Sequence, residues 1–326
     1  MILETRLSLG VQTVHRLTGA ATGPWLPSID ELVALTELVD RSGYDSLWVG
    51  DHIAFPVAIL DPLLQLAQCA VASRRLRLGT GVYLLPLRHP VPVAKQVATL
   101  DHLTEGRLIF GVGAGGEFPK EYEACGVPRA ERGARLTEGV AVLRALWSGA
   151  PASHTGRFYG PFADIPMAPP PRQPGGPPIW FGGRAEAALR RCARLGAGYL
   201  SYVVTPEQFA ANLATIAAAR TTTGPFGTGH LLFTRLDPTR EQALDHATET
   251  LSVRYGMDFR RAADRYCALG SPEQVAARIR AFHAAGVRHV VLDFLGPHEQ
   301  RADQIAWFAA AAMPLLADLR VSAAAG

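Results

Sequence analysis

The sequence predicts an α/β protein of the (β/α)8 TIM-barrel class, with function gathered where the strands end. Three observations carry that expectation. From Gly43 to Gly116 the chain reads GYDSLWVGDH and then RLRLGTGVYLLPLRHPVPVAKQVATLDHLTEGRLIFGVGAGG; short apolar runs stop at glycine or a charged residue, with helical segments between them. The chain has 326 residues, close to one barrel with insertions. Hydrophobic residues make up 48%, enough for a large core.

The elements follow in order. The first strand is expected at Leu7–Val11. Ser28, with Glu31 three residues later, is a good start for the first helix, which ends near Gly43. The second strand is Ser46–Val49. Asp61-Pro62 opens a helix to about Arg74, and Leu76–Thr80 is the third strand. Val93, Val97, Leu100 and Leu103 form a helical stripe closed by Gly106. Arg107–Val112 is the fourth strand, and a helix from about Glu131 to Trp147 turns Leu136, Val140, Leu143 and Trp147 inward. Residues 149–178, rich in Pro and Gly, read as a loop insertion, because the strand–helix rhythm resumes directly after them. PPIWFGG, GAGYLSYVV, Leu231–Thr234 and HVVLDF are the remaining four strands. Their helices are Glu186–Leu195, one opened by Thr205-Pro206, one from Pro238, one opened by Ser271-Pro272-Glu273, and a final one to about Leu319. Residues 253–270 lack a clear period and read as a second insertion or a lid. Residues 1–320 are expected to form one domain, and 321–326 a frayed tail.

Composition narrows the function. No run of 18 apolar residues exists, so no membrane span is expected, and MILETRLSLG lacks the pattern of a secretory signal. Net charge is +3 with scattered basic residues, which gives no nucleic-acid face. Lys95 and Lys120 are the only lysines; arginine and alanine abundance points to a GC-rich genome of the actinobacterial kind. Cys69, Cys125, Cys192 and Cys267 are far apart with no CxxC, so buried free thiols and a cytoplasmic protein are expected.

Five places could carry chemistry. WVGDH sets Asp51 and His52 at a strand end, where a histidine can move protons near neutral pH and an adjacent acid can orient it. Gly79 and Gly81 allow a strand bulge against which a flat cofactor could lie. GVGAGG loosely echoes a dinucleotide pattern, but it opens no helix and is followed by Pro119 and Pro128, which argues against a Rossmann site; Glu117 beside it is a substrate contact or a solvated acid. IWFGGRAEAALRRCARLG runs a strand into Gly182-Gly183 and at once into a strong helix former. The N–H groups of that helix start suit a phosphate, and Arg184 can add charge. Arg88 and His89 precede a helix near the mouth; Arg88 reads as a substrate contact or the partner of a loop acid. No lysine lies at a strand end for a Schiff base, and no carboxylate–histidine cluster has metal spacing, which leaves little for a redox-free barrel enzyme such as an aldolase.

Collectively these segments, with LDPLLQLA, ERGARLTEGVAVLRALW, GRFYGPF and GSPEQVAARIRAFHAAGVRHVVLDF, resemble the bacterial luciferase-like superfamily of flavin- or deazaflavin-dependent oxidoreductases. The resemblance spans most of the chain. It implies a barrel whose open end holds FMN or coenzyme F420, in a protein that often forms homodimers. The family's mouth histidine matches His52. Its strand-three bulge, often with a non-proline cis peptide, falls near Gly81-Val82, and its phosphate turn matches Gly182, Gly183, Arg184 and Ala185. Luciferases carry an arginine in the glycine segment after strand four, where this chain has Ala114. The family's sugar-phosphate dehydrogenases place a catalytic glutamate directly after that segment, where this chain has Gly116, with Glu117 one residue on. Both departures, with the composition, favour F420 and disfavour glucose 6-phosphate.

The first expectation is therefore hydride transfer through F420, with His52 and Asp51 catalytic and no metal. An FMN-dependent monooxygenase fed by a partner reductase is the alternative, and a non-catalytic flavin-binding protein is the alternative of another class. The loops Val14–Trp25, Tyr83–His89, Gly116–Tyr122 and 253–268 are expected to wall the pocket, with His15, Trp25, Phe55, Tyr83, Phe118 and Tyr202 making an aromatic mouth for a small-molecule substrate.

Overall fold

The structure, a computed structural model, describes residues 6–12, 28–55 and 58–320. The loop Val14–Trp25, with His15 and Trp25, and the tail 321–326 lie outside the described residues.

The strands in chain order are β1 (Ser8–Gln12), β2 (Ser46–Val49), β3 (Arg77–Thr80), β4 (Leu108–Val112), the pair β5 (Ala152–His154) and β6 (Phe162–Ile165), then β7 (Ile179–Gly182), β8 (Gly198–Tyr202), β9 (Gly227–Leu236), β10 (Ala268–Gly270) and β11 (His289–Phe294). Eight of them close a parallel barrel in the order β1, β2, β3, β4, β7, β8, β9, β11, with β11 back on β1. The α-helices are α1 (Ile29–Arg41), α2 (Pro62–Ala72), α3 (Pro90–Leu103), α4 (Pro119–Ala124), α5 (Arg132–Leu146), α6 (Glu186–Leu195), α7 (Pro206–Ala219), α8 (Arg240–Tyr255), α9 (Arg260–Tyr266), α10 (Pro272–Ala284), α11 (Arg301–Trp307) and α12 (Ala317–Arg320). Among the described residues, no helix is long and apolar enough to cross a membrane.

Local chemistry sets the helix starts. Ser28 accepts from the Glu31 N–H, and Asp61 from those of Leu63 and Leu64. Thr205 with Gln208 and Ser271 with Gln274 form complete capping boxes. Proline opens α2, α3, α4, α7 and α10, where its missing N–H costs nothing.

The lumen is filled by two tryptophans. Trp48 and Trp180 sit with ring centroids 5.6 Å apart, packed by Ile109, Leu200 and Val291. Their bulk demands a collar without side chains. A Cβ at Gly79 would lie 2.5 Å from the Trp48 ring, and Cβ atoms at Gly198 and Gly227 would lie 2.5 and 2.1 Å from Trp180. Trp48 Nε1 donates to Ser46 Oγ (2.9 Å), which lies 2.8 Å from His289 Nε2. Burial pushes His289 down to about 4, so its neutral ring satisfies this polar trio without burying a charge.

Four expectations change. Residues 149–178 hold the antiparallel pair β5–β6 rather than a plain loop. Glu138 of α5 pins the segment by accepting from the N–H groups of Arg157, Phe158 and Tyr159. Residues 253–270 are regular: α8 runs on to Tyr255, α9 follows, and β10 pairs with the far end of β9. The strand expected at Leu231–Thr234 is ten residues long, because β9 must reach β8, β10 and β11. Leu103 is 53% exposed, since ten residues on from Val93 the helix has turned away from the buried stripe. Cys69, Cys192 and Cys267 are buried free thiols, while Cys125 is half-buried.

Gly227→Ala is expected to lower stability by roughly 1–3 kcal/mol through overpacking against Trp180. Urea denaturation reads this, and an unchanged midpoint would contradict the collar.

Candidate active site

β2 delivers two polar residues to the barrel mouth, and they do different work. The Asp51 side chain is fully buried. Its carboxylate takes Arg88 Nη1 and Nη2 at 2.6 and 2.9 Å and the Leu84 N–H at 2.8 Å. Arg88 also lies 3.6 Å from Asp61 and 4.3 Å from the Tyr83 ring centroid. Burial pushes Asp51 up against the pull of Arg88, while Asp51 outweighs burial and holds Arg88 above its ordinary value. The two directions pull on one pair, and the bidentate contact decides for the ion pair. Asp51 thus fastens the end of β2 to the loop after β3.

The acid that meets His52 is Glu121, not Asp51. His52 Nδ1 donates to Glu121 Oε2 at 2.9 Å, and Oε1 accepts from the Ile53 and Ala54 N–H groups at 2.7 and 3.3 Å. Burial alone would raise the Glu121 carboxyl, but these donors outweigh it and hold it below the ordinary range. His52 stacks on Phe55 at 3.9 Å, and Phe55 meets Phe118 edge-on at 5.6 Å. An open cleft of about 570 Å3 beside them is lined by Ile53, Phe55, Ile59, Phe118 and Ala124. His52 is a quarter exposed, and its Nε2 has no hydrogen-bond partner among the described residues.

Sequence reading missed Glu121. The signal was a proline-started turn, FPKEYEA, directly after the glycine segment. Its two central residues, Glu121 and Tyr122, are both buried, and Tyr122 reaches back to hydrogen-bond the Ala114 carbonyl.

Glycines floor one half of the mouth. Gly50 and Gly81 flank Gln12: Cβ atoms there would lie 3.4 Å from its Nε2 and 3.3 Å from its Oε1. The Gly81–Val82 peptide is cis. The Val82 side chain fits against Gly113 and Gly182, whose Cβ atoms would lie 2.4 and 2.8 Å from it. Val82 packs on the tryptophan plug below and is half-buried. The floor is therefore made of glycine backbone and the Val82 side chain around Gln12.

The turn Gly182–Ala185 leads into α6 with no side-chain cap, and Gly183 has φ +129°. Arg184 is exposed and lies over Tyr202 at 5.1 Å. Arg129 and Arg132 fold back against Gly116, where a Cβ would lie 3.3 and 3.0 Å from their Nε atoms. Ala114 thus has arginines close by in space, supplied from 15 and 18 residues further along the chain.

The proposed substrate contacts scatter. Tyr83 is buried, and Arg88 is held by Asp51. Glu117 is exposed on the rim and Tyr202 is half-buried. Among the described residues, no group of three or more His, Cys, Asp or Glu could hold a metal ion.

The sequence profile described as luciferase-like monooxygenase matches residues 6–289. The chain belongs to that family. Its closed eight-stranded parallel barrel is the family's fold. It is similar to the oxygenase component of a flavin-dependent trigonelline monooxygenase from Acinetobacter baylyi, 35% identical over 48% of this chain and 43% of that protein. The chain thus spans less than half the length of that relative. Over 89% of this chain and 93% of the relative it is 27% identical to an F420-dependent glucose-6-phosphate dehydrogenase from Beutenbergia cavernae. The crystal structure of the monooxygenase RslO1 from Streptomyces bottropensis superposes with a TM-score of 0.79 at 27% identity, covering 94% of this chain and 99% of that one. Its relatives use F420 or a flavin.

A native carboxyl held below its unfolded value stabilises the fold above about pH 5, and that contribution fades as pH falls through the native value. Glu121→Gln is therefore expected to flatten the acid side of the stability curve, read as urea midpoints from about pH 7 down to pH 3. Parallel curves for the two proteins would contradict the His52–Glu121 pairing.

Proposed function

We propose that this enzyme transfers a hydride between coenzyme F420 and a small organic substrate, with His52 handling the proton. One observation carries the reading: His52 has Nδ1 fixed by Glu121 and Nε2 unpartnered, at the strand end next to a floor of glycines. When bound, the deazaflavin supplies the carbon that gives or accepts the hydride. The residues present fit a planar ring with an anionic tail. Val82 and the glycines at 50, 81, 113 and 182 leave room for the ring. The uncapped start of α6 at Gly182, Gly183, Arg184 and Ala185, with Arg129 and Arg132, offers N–H groups and charge for the tail.

In the oxidising direction, His52 Nε2 takes the proton of the substrate hydroxyl while Glu121 stabilises the charge that forms on the ring. In the reducing direction the same nitrogen returns it. Phe55 and Phe118 shield the ring from bulk water on the cleft side. Asp51 and Arg88 act by fixing the strand end rather than by touching substrate.

FMN-dependent oxygenation with a partner reductase is the second reading, and Arg129 and Arg132 favour it. The absence of arginine at position 114 argued against FMN; the nearby guanidinium groups remove that argument. The relative matched over nearly its whole length is named for F420, whereas the trigonelline oxygenase is matched over less than half of its own.

Titrating the protein with FMN and with F420, followed by tryptophan fluorescence, separates the readings. Tight binding of F420 alone supports hydride transfer, a preference for reduced FMN moves the enzyme to the oxygen-using branch, and binding of neither removes the cofactor assignment. His52→Ala is expected to slow turnover by about 10²-fold or more while changing cofactor affinity by less than about threefold; an unchanged rate removes the proton role. Gly183→Asp, which sets a carboxylate at a positive-φ site in the anion turn, is expected to weaken cofactor binding by at least about tenfold. Equal affinity would place the tail elsewhere.

A further inference from the structure

The two halves of the barrel mouth differ in kind. The half at the ends of β2, β3, β4 and β7 is glycine. The half at the ends of β9, β11 and β1 carries charge. On β11, His289 and Val291 face the tryptophan plug, so Asp293, two residues on, faces the mouth. Asp293 is register partner to Phe233 on β9, and Gln12 follows on β1 one step beyond the Val11–Leu292 pair. Arg254 reaches in from α8, lies 5.5 Å from the Phe233 ring centroid and donates Nη1 to Asp293 Oδ2 at 2.9 Å. Arg301 stands at the start of α11, which packs against β9 and β11.

Two guanidinium groups here each keep one buried N–H nitrogen without an acceptor. The Arg254 side chain is 3% exposed, and its Nε has no hydrogen-bond partner. Arg301 Nη1 is likewise buried and unpartnered, and no carboxylate within ion-pair distance of Arg301 is found among the described residues. The charges that act on it most strongly are those of Asp293, Arg254 and Glu31. Glu31 is taken by His298, and Asp293 by Arg254. A buried guanidinium N–H without an acceptor costs stability, and an oxyanion bound here relieves that cost at both residues. A carboxylate is planar and two-pronged and matches a guanidinium edge.

We propose that Arg254 and Arg301 form a subsite for a carboxylate on the substrate, so that the enzyme acts on organic anions. The assignment rests on the cofactor lying across the glycine half, which leaves the charged half to the substrate. It places the substrate between the cleft beside His52 and the arginines, with its carboxylate held away from the reacting centre.

Benzoate and its uncharged counterpart benzamide are the probes, titrated by calorimetry into the protein with and without its bound cofactor. Benzoate is expected to bind and benzamide to bind at least tenfold more weakly. Arg301→Gln should weaken benzoate at least tenfold, Arg301→Lys should retain part of the affinity, and neither should change cofactor affinity. Nitrogen-15 spectra of arginine side chains in the unaltered protein give a second readout, in which benzoate should shift the Arg254 Nε–H signal. Equal binding of the two probes, an Arg254 signal that does not move, or unchanged benzoate affinity in Arg301→Gln overturns the subsite. Displacement of benzoate by the cofactor assigns the arginines to the cofactor and also overturns it. Benzoate binding that depends on Arg301 in a protein that binds neither F420 nor FMN removes the proposed function and leaves the anion subsite standing.

Discussion

Everything at the mouth rests on how two indole rings fill the barrel. Trp48 and Trp180 occupy the lumen, and the strands around them carry glycine because nothing larger fits. The plug makes the barrel a packed core rather than a pore, and its top surface, finished by Val82, becomes the floor of the site. Gly79, which leaves space for Trp48, is followed on the same strand end by Gly81, and Gly50, Gly113 and Gly182 stand at the neighbouring strand ends.

On that floor the site is assembled from loops of different strands. β2 supplies His52, the segment after β4 supplies Glu121, and the turn after β7 supplies an uncapped helix start. None of these pairs is close in sequence: His52 and Glu121 are 69 residues apart. The barrel makes them neighbours because parallel strands all end on one side.

The fold was legible because its signals are local. Strand runs stop at glycine, and Ser28, Asp61, Thr205 and Ser271 mark helix starts by their own hydrogen bonds. That His52 and Gly182-Gly183 stand at strand ends was legible for the same reason, since a strand end is visible in the chain. What failed depended on contacts across space. Asp51 stands next to His52 in sequence yet turns the other way to Arg88, and successive residues at a strand end point to opposite sides. Glu121 looked like one of several acids in a proline-containing loop. Arg129 and Arg132 sit at a helix start, with nothing local to say that they return to Gly116. The pair β5–β6 is short and exposed, and its pattern was hidden by the prolines around it.

Helix α4 has only six residues, yet it touches both sides of the chemistry. Glu121 grips His52 on one side, and Tyr122 holds the Ala114 carbonyl in the glycine segment on the other. Any shift of that segment is transmitted through a rigid single turn to the imidazole. The position of the His52 imidazole is therefore mechanically tied to the stretch between Gly113 and Gly116, and whatever settles there also sets the aim of that ring.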